Sequence, residues 1–151
     1  MMDYMGFVLF LWIVGDNVED AIGHARFTIL YFASGILGGA AYIASAPHST
    51  ALLFGASGAI AGVMVAYAMI RPCAKIEVWV EIIPVAFPAY IAIGCWMAAQ
   101  VMHLVLGGAS ETAYWAHLGG GVAGMLFAIF ARPSGLRLFD CKPPIKRSSP
   151  G

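Results

Sequence analysis

Four apolar runs of bilayer length, none containing a charged residue, limit what this chain of 151 residues can fold into. They span Phe27–Ala46, Ala51–Ile70, Ile82–Leu106 and Ala113–Ala131. A helix rises about 1.5 Å per residue, so some twenty residues cover the roughly 30 Å of a bilayer core. Only 11% of the residues are charged, against about 25% in soluble domains. The sequence therefore predicts an all-α, polytopic transmembrane helix bundle.

Composition also bears on partners and cofactors. The formal net charge is zero, so nothing in the composition indicates a nucleic-acid partner. The lipid bilayer is the predicted surroundings. Cys73, Cys95 and Cys141 are scattered and form no C-x-x-C pair. We read them as apolar filler or cytosolic thiols rather than as disulfides or metal ligands, and we expect no metal and no cofactor.

The beginning of the chain carries a shorter apolar run, Met5–Val14. Ten helical residues span only about 15 Å, which is half a bilayer. A polar stretch follows, Gly15–Asp20, and we expect a turn there. This pattern predicts about five membrane segments in all, with an earlier first helix missing from the chain.

The placement of positive charge predicts the orientation. The eight basic residues fall at three places: before Phe27–Ala46 (Arg26), between Ala51–Ile70 and Ile82–Leu106 (Arg71 and Lys75), and after Ala113–Ala131 (the remaining five). These places share one side of the membrane if every run crosses once, and the positive-inside rule makes that side cytoplasmic. The prediction is a multi-pass protein of the plasma or inner membrane with a cytoplasmic C-terminus.

The remaining segments are shorter. Residues 71–81 alternate apolar and polar side chains and are consistent with an interfacial piece, after which Pro84 and Pro88 mark the start or a kink of the next helix. The end of the chain is rich in proline, serine and basic residues. We expect a transmembrane domain over residues 1–132 and a disordered cytoplasmic tail over residues 133–151.

A serine inside one of the long runs is the first candidate for chemistry. Ser57 is flanked by Gly55, Gly58 and Gly62 near the outer end of its run. Such a serine commonly bonds back to its own helix or assists helix packing. Here the glycines leave space around the hydroxyl, and the free N–H groups of a helix N-terminus can stabilise an oxyanion.

A histidine at similar depth in the last run supplies a candidate base. His117 shares a helix face with Gly120, Gly121 and Gly124, and Gly58 and Gly62 form a matching small-residue face on the serine helix. Glycine faces let two helix backbones approach closely, so short side chains can meet. A structural hydrogen bond is the alternative role for His117, and His103 is a weaker rival base.

These motifs resemble those of the rhomboid family of intramembrane serine proteases. The resemblance rests on Gly55–Gly58, on Ala116–Gly120 followed by Gly124, and on Phe10–Asp20. It implies Ser57 as nucleophile, His117 as general base, and Gly55 with the Ser57 backbone N–H at the oxyanion site. It also implies an outward-facing site that cleaves transmembrane segments of other proteins near their outer ends. The oligomeric state is not defined by these residues.

The chain departs from the family pattern in its first helix. Rhomboids carry a His-x-x-x-Asn pair that helps hold the oxyanion, and the corresponding positions here are Asp3 and Phe7. Phenylalanine has no donor and an ionised aspartate only accepts. The chain is therefore expected to be incomplete at its N-terminus or to have an impaired oxyanion site.

Two other functions compete with proteolysis. One is a rhomboid-like pseudoprotease that binds membrane-protein clients without cutting them, which would have little reason to keep both Ser57 and His117. The other is a small transporter. Transporters typically show internal repeats and charges within the membrane, and the sequence shows no repeat and no charge in its four long runs.

Overall fold

The computed structural model describes residues 2–48, 56–80, 83–107 and 111–142. Within them the chain forms five helices and one two-stranded hairpin. In order these are α1 (Met2–Ile22), α2 (His24–Ser45), α3 (Ala56–Ile70), β1 (Lys75–Val80), β2 (Ile83–Pro88), α4 (Ala89–Leu106) and α5 (Glu111–Phe130). The described part is a mostly helical bundle, as the sequence predicts, with a small antiparallel sheet added.

Helix α3 lies at the centre of this bundle. Eleven of its fifteen residues are buried, so α3 is covered on nearly all sides. It packs most closely against α2 and α5, and α1 and α4 complete the enclosure. A helix that is apolar all round is expected in such a position.

The polar stretch after the first apolar run is helical, so the predicted turn at Gly15–Asp20 is wrong. Helix α1 continues through it to Ile22 because Val14, Val18 and Ile22 recur at four-residue spacing and are buried in the core. Its 21 residues have a length of about 31 Å, so the helix extends well beyond the apolar run Met5–Val14, which alone covers half a bilayer. The turn comes at Gly23, whose φ of 88° favours glycine.

The segment between α3 and α4 is a β-hairpin, which corrects the all-α prediction and shortens the predicted run Ile82–Leu106. Strands β1 and β2 pair antiparallel, with Lys75 opposite Pro88 and Val80 opposite Ile83. Helix α4 begins immediately after Pro88, as the proline pattern predicts. At the base of the hairpin the Ala89 N–H donates to the Ala74 carbonyl at 2.8 Å.

The first part of the tail is packed against the bundle, so the predicted disorder is wrong for residues 133–142. Leu136 and Leu138 lie against the core cluster, because they offer apolar surface that the end of α3 can cover. The Phe139 N–H donates to the Met69 carbonyl at 2.8 Å and satisfies part of the α3 C-terminus. Residues 143–151 lie outside the described residues.

Two cysteines form a disulfide that the sequence analysis did not expect. Cys73 and Cys141 are 68 residues apart in the chain, but docking of the tail brings their Cα atoms to 5.2 Å. This separation is within the usual range for disulfides. Cys95 is free and exposed. The bond joins the hairpin entry to the tail.

Two of the described helices, His24–Ser45 and Ala89–Leu106, are long and apolar enough to cross a bilayer. Ala56–Ile70 and Tyr114–Phe130 are shorter apolar stretches. Many large apolar side chains on the outer faces of α2, α4 and α5 are exposed, which is the pattern of helices that contact lipid rather than water.

Candidate active site

Helices α3 and α5 touch through their backbones beside the two candidate catalytic residues. A β-carbon placed on Gly58 would lie 3.1 Å from the carbonyl oxygen of Ala116. One placed on Gly120 would lie 2.6 Å from the carbonyl carbon of Gly58. Gly58 follows Ser57 and Ala116 precedes His117, so the two candidate residues flank a point of backbone contact.

The close contact continues one helical turn further along. A β-carbon on Gly124 would lie 2.7 Å from the Cα of Gly62, and one on Gly62 would overlap the Ser34 side chain. Gly38 of α2 joins the same junction, because a β-carbon there would lie 2.7 Å from the Ala116 carbonyl oxygen. Three helices therefore meet where only glycine or a small side chain fits.

Replacing Gly120 by valine should lower the stability of the bundle. The added carbons would overlap Gly58 backbone atoms, which cannot move without displacing a helix, and overpacking costs about 1–3 kcal/mol. We expect a lower thermal midpoint in detergent for Gly120→Val. Gly94→Val is the matched control, because nothing lies within 4 Å of a β-carbon there. Equal midpoints for the two variants would show that the glycine contact does not limit stability.

Ser57 is half-buried in the first turn of the described part of α3. Gly55, expected in the oxyanion loop, lies outside the described residues. The described part of α3 begins at Ala56, immediately before Ser57.

His117 is half-buried on α5 and makes a specific hydrogen bond. Its Nδ1 is 2.9 Å from Oε1 of Gln100 on α4. An amide oxygen only accepts hydrogen bonds, so the ring nitrogen that faces it carries the proton. This arrangement leaves Nε2 of His117 as the basic nitrogen. The Trp96 ring lies against the imidazole, with the ring centroids 5.3 Å apart.

Gln100 is the residue of this site that the sequence analysis did not assign. It is only 7% exposed, and a buried amide in an apolar helix needs a partner. Gln100 and His117 are 17 residues apart and lie on different helices, so no helical periodicity in the sequence relates them. The only available signal was an amide within a charge-free run.

The other histidines lie in different surroundings. His103 on α4 stacks on Tyr114 of α5, with ring centroids 5.1 Å apart. His24 pairs with Glu19 at the turn between α1 and α2, and His48 is exposed in a turn after α2. Among the described residues, no cluster of histidine, cysteine and acidic side chains could hold a metal ion.

The described part of the chain is a mostly helical bundle in which Gln100 of α4 and His117 of α5 form a hydrogen bond between two helices. The chain matches the Rhomboid domain over residues 3–134, which is most of its length, and it therefore belongs to the rhomboid family. Members of this family are intramembrane proteases or homologues of them. No curated protein and no solved structure matches the chain.

Proposed function

We propose that this chain is the core of an intramembrane serine endopeptidase that cuts transmembrane segments of other membrane proteins near their outer ends. Ser57 is the nucleophile and His117 the general base. The observation that supports the proposal is the close backbone approach of Gly58 and Ala116, which are the chain neighbours of Ser57 and His117 on two packed helices. Family membership supports the reaction class.

In the proposed reaction, His117 Nε2 takes the proton of the Ser57 hydroxyl as its oxygen bonds to the scissile carbonyl carbon. The carbonyl oxygen becomes an oxyanion, which the N–H groups at the start of α3 stabilise. The protonated imidazole then gives its proton to the leaving amine, and an acyl-enzyme remains. Water, activated by the same histidine, hydrolyses the acyl-enzyme and frees Ser57.

Gln100 has a positioning role in this scheme. By accepting from Nδ1–H, its amide oxygen fixes both the tautomer and the plane of the His117 ring. Gln100→Leu should lower kcat about fivefold with KM nearly unchanged, because the hydrogen bond is worth about 1 kcal/mol. Gln100→Glu retains an acceptor at the same reach and should restore most of kcat. An unchanged kcat in Gln100→Leu would remove Gln100 from the mechanism.

In the proposed multi-pass orientation, the C-terminal ends of α3 and α5 face the cytoplasm. The N-terminal end of α3, which carries Ser57, faces outward. The basic residues support this, because Arg71 and Arg132 follow the C-terminal ends of α3 and α5, and Lys75 begins β1 shortly after α3. The Cys73–Cys141 disulfide at the same end favours the opposite side, since cytosolic disulfides are rare. The proposed orientation follows the charges, because basic residues in short loops direct membrane insertion.

Reconstitution with a single-span reporter protein tests the proposal. Proteolysis should yield two fragments whose new termini lie in the outer third of the reporter's span. A pseudoprotease would bind the reporter and leave it intact. Asp3 and Phe7 stand where the family pattern has histidine and asparagine, and this departure favours the pseudoprotease.

A further inference from the structure

An open cavity of about 730 Å³ lies at the end of α5, away from the candidate active site. The tail folds back after Pro133 and forms its other wall. Its lining comprises Ile129, Phe130, Arg132, Pro133, Ser134, Gly135, Leu136, Arg137 and Leu138. The cavity therefore combines two guanidinium groups with apolar side chains, and none of the described residues that line it is acidic.

The two arginines are available to a ligand. Both are exposed, and neither forms an ion pair within the part of the chain that the structure describes. Arg132 donates from Nη1 to the Ile129 carbonyl at 2.6 Å, which fixes its position at the α5 C-terminus. Arg137 makes no such bond among the described residues. A planar guanidinium suits a phosphate group, which it can bind through two parallel hydrogen bonds.

An exposed apolar stripe on α5 leads directly into this cavity. Its members recur at helical spacing on the outer face and are between 38% and 80% exposed: Val122, Met125, Leu126, Ile129 and Phe130. The opposite face of α5 is buried against α2 and α3. Acyl chains can lie along the stripe while a headgroup occupies the cavity, which is the amphipathic division that a phospholipid has.

We propose that the cavity binds the headgroup phosphate of an anionic phospholipid whose acyl chains lie along the α5 stripe. A lipid fits better than a free anion because the apolar stripe is continuous with the charged cavity. Basic pockets at the cytoplasmic ends of membrane helices bind anionic headgroups in this way. The proposal depends on placement in a bilayer and is independent of proteolytic activity.

The test is native mass spectrometry of residues 1–151 in detergent, with phosphatidylglycerol or phosphatidylcholine of identical acyl chains. The unaltered chain should retain phosphatidylglycerol at least about fivefold more than phosphatidylcholine. Arg137→Gln should remove most of that preference, because each basic residue near anionic lipid contributes about a fivefold change in affinity. Arg26→Gln is the matched control: it removes an exposed arginine outside the cavity lining.

Three results would overturn the lipid site. The first is equal retention of the two lipids by the unaltered chain. The second is loss of preference in Arg26→Gln as large as that in Arg137→Gln, which would show a general charge effect. The third is displacement of phosphatidylglycerol by 10 mM inorganic phosphate at unchanged ionic strength, which would assign the cavity to free phosphate. Thermal midpoints of both variants, measured in parallel, distinguish lost binding from lost folding.

Discussion

Replacing Ser57 by alanine should abolish cleavage of a reconstituted single-span reporter. The substitution removes the only atom that can form the acyl-enzyme and leaves the helix intact, so turnover should fall at least about 10,000-fold. His117→Ala should give a loss of similar size, because an unactivated hydroxyl is a poor nucleophile. Fragment yield over time, measured at equal protein per lipid, gives the rates.

Ser34→Ala is the matched control for this pair of variants. Ser34 is another serine within an apolar helix, fully buried, and its hydroxyl has no hydrogen-bond partner among the described residues. Removing that hydroxyl should leave cleavage unchanged. Proteolysis that survives Ser57→Ala would remove both the nucleophile and the assignment as a serine protease.

Restoring the family's oxyanion pair in α1 should raise turnover strongly. The double variant Asp3→His, Phe7→Asn places an imidazole and an amide where the rhomboid pattern has them. A single oxyanion donor is typically worth about 100- to 1000-fold in turnover, so we expect an increase of about 100-fold over the unaltered chain. The unaltered chain should cleave weakly, because its Ser57 and His117 are present while Phe7 cannot donate.

Specificity of this gain requires its own controls. Phe10→Asn makes the same chemical change elsewhere on α1 and should not raise turnover. Ser57→Ala in the double-variant background should return cleavage to zero. If the double variant gains no more than Phe10→Asn does, the Asp3 and Phe7 positions do not contribute to an oxyanion site.

Much of the fold follows from local sequence signals. Charge-free runs of bilayer length predict α2 and α5 to within a few residues, and Pro88 predicts the start of α4. The sequence does not predict that α1 continues through this stretch, because Asp16, Glu19 and Asp20 suggest a turn, whereas burial of Val18 in the core outweighs that local preference. Tertiary packing, rather than local sequence preference, therefore determines that α1 continues to Ile22.

The features that sequence reasoning missed all depend on contacts between distant segments. The hairpin needs Ile76 to face Phe87 across two strands, and the disulfide needs the docked tail. The Gln100–His117 hydrogen bond joins two helices whose relative rotation no periodicity specifies. By contrast, the expected glycine faces were visible in the sequence, because close backbone approach requires small residues at four-residue spacing.

Covalent labelling of the nucleophile tests the central claim most directly. A fluorophosphonate reacts with an activated serine and forms a stable phosphonyl adduct that survives proteolytic digestion. In lipid nanodiscs, peptide mass spectrometry should locate a single adduct on Ser57 in the unaltered chain. His117→Ala should label at least about 100-fold more slowly, since the base is missing. An adduct on another residue, or equal labelling of the chain with and without His117, would contradict a Ser57–His117 catalytic pair.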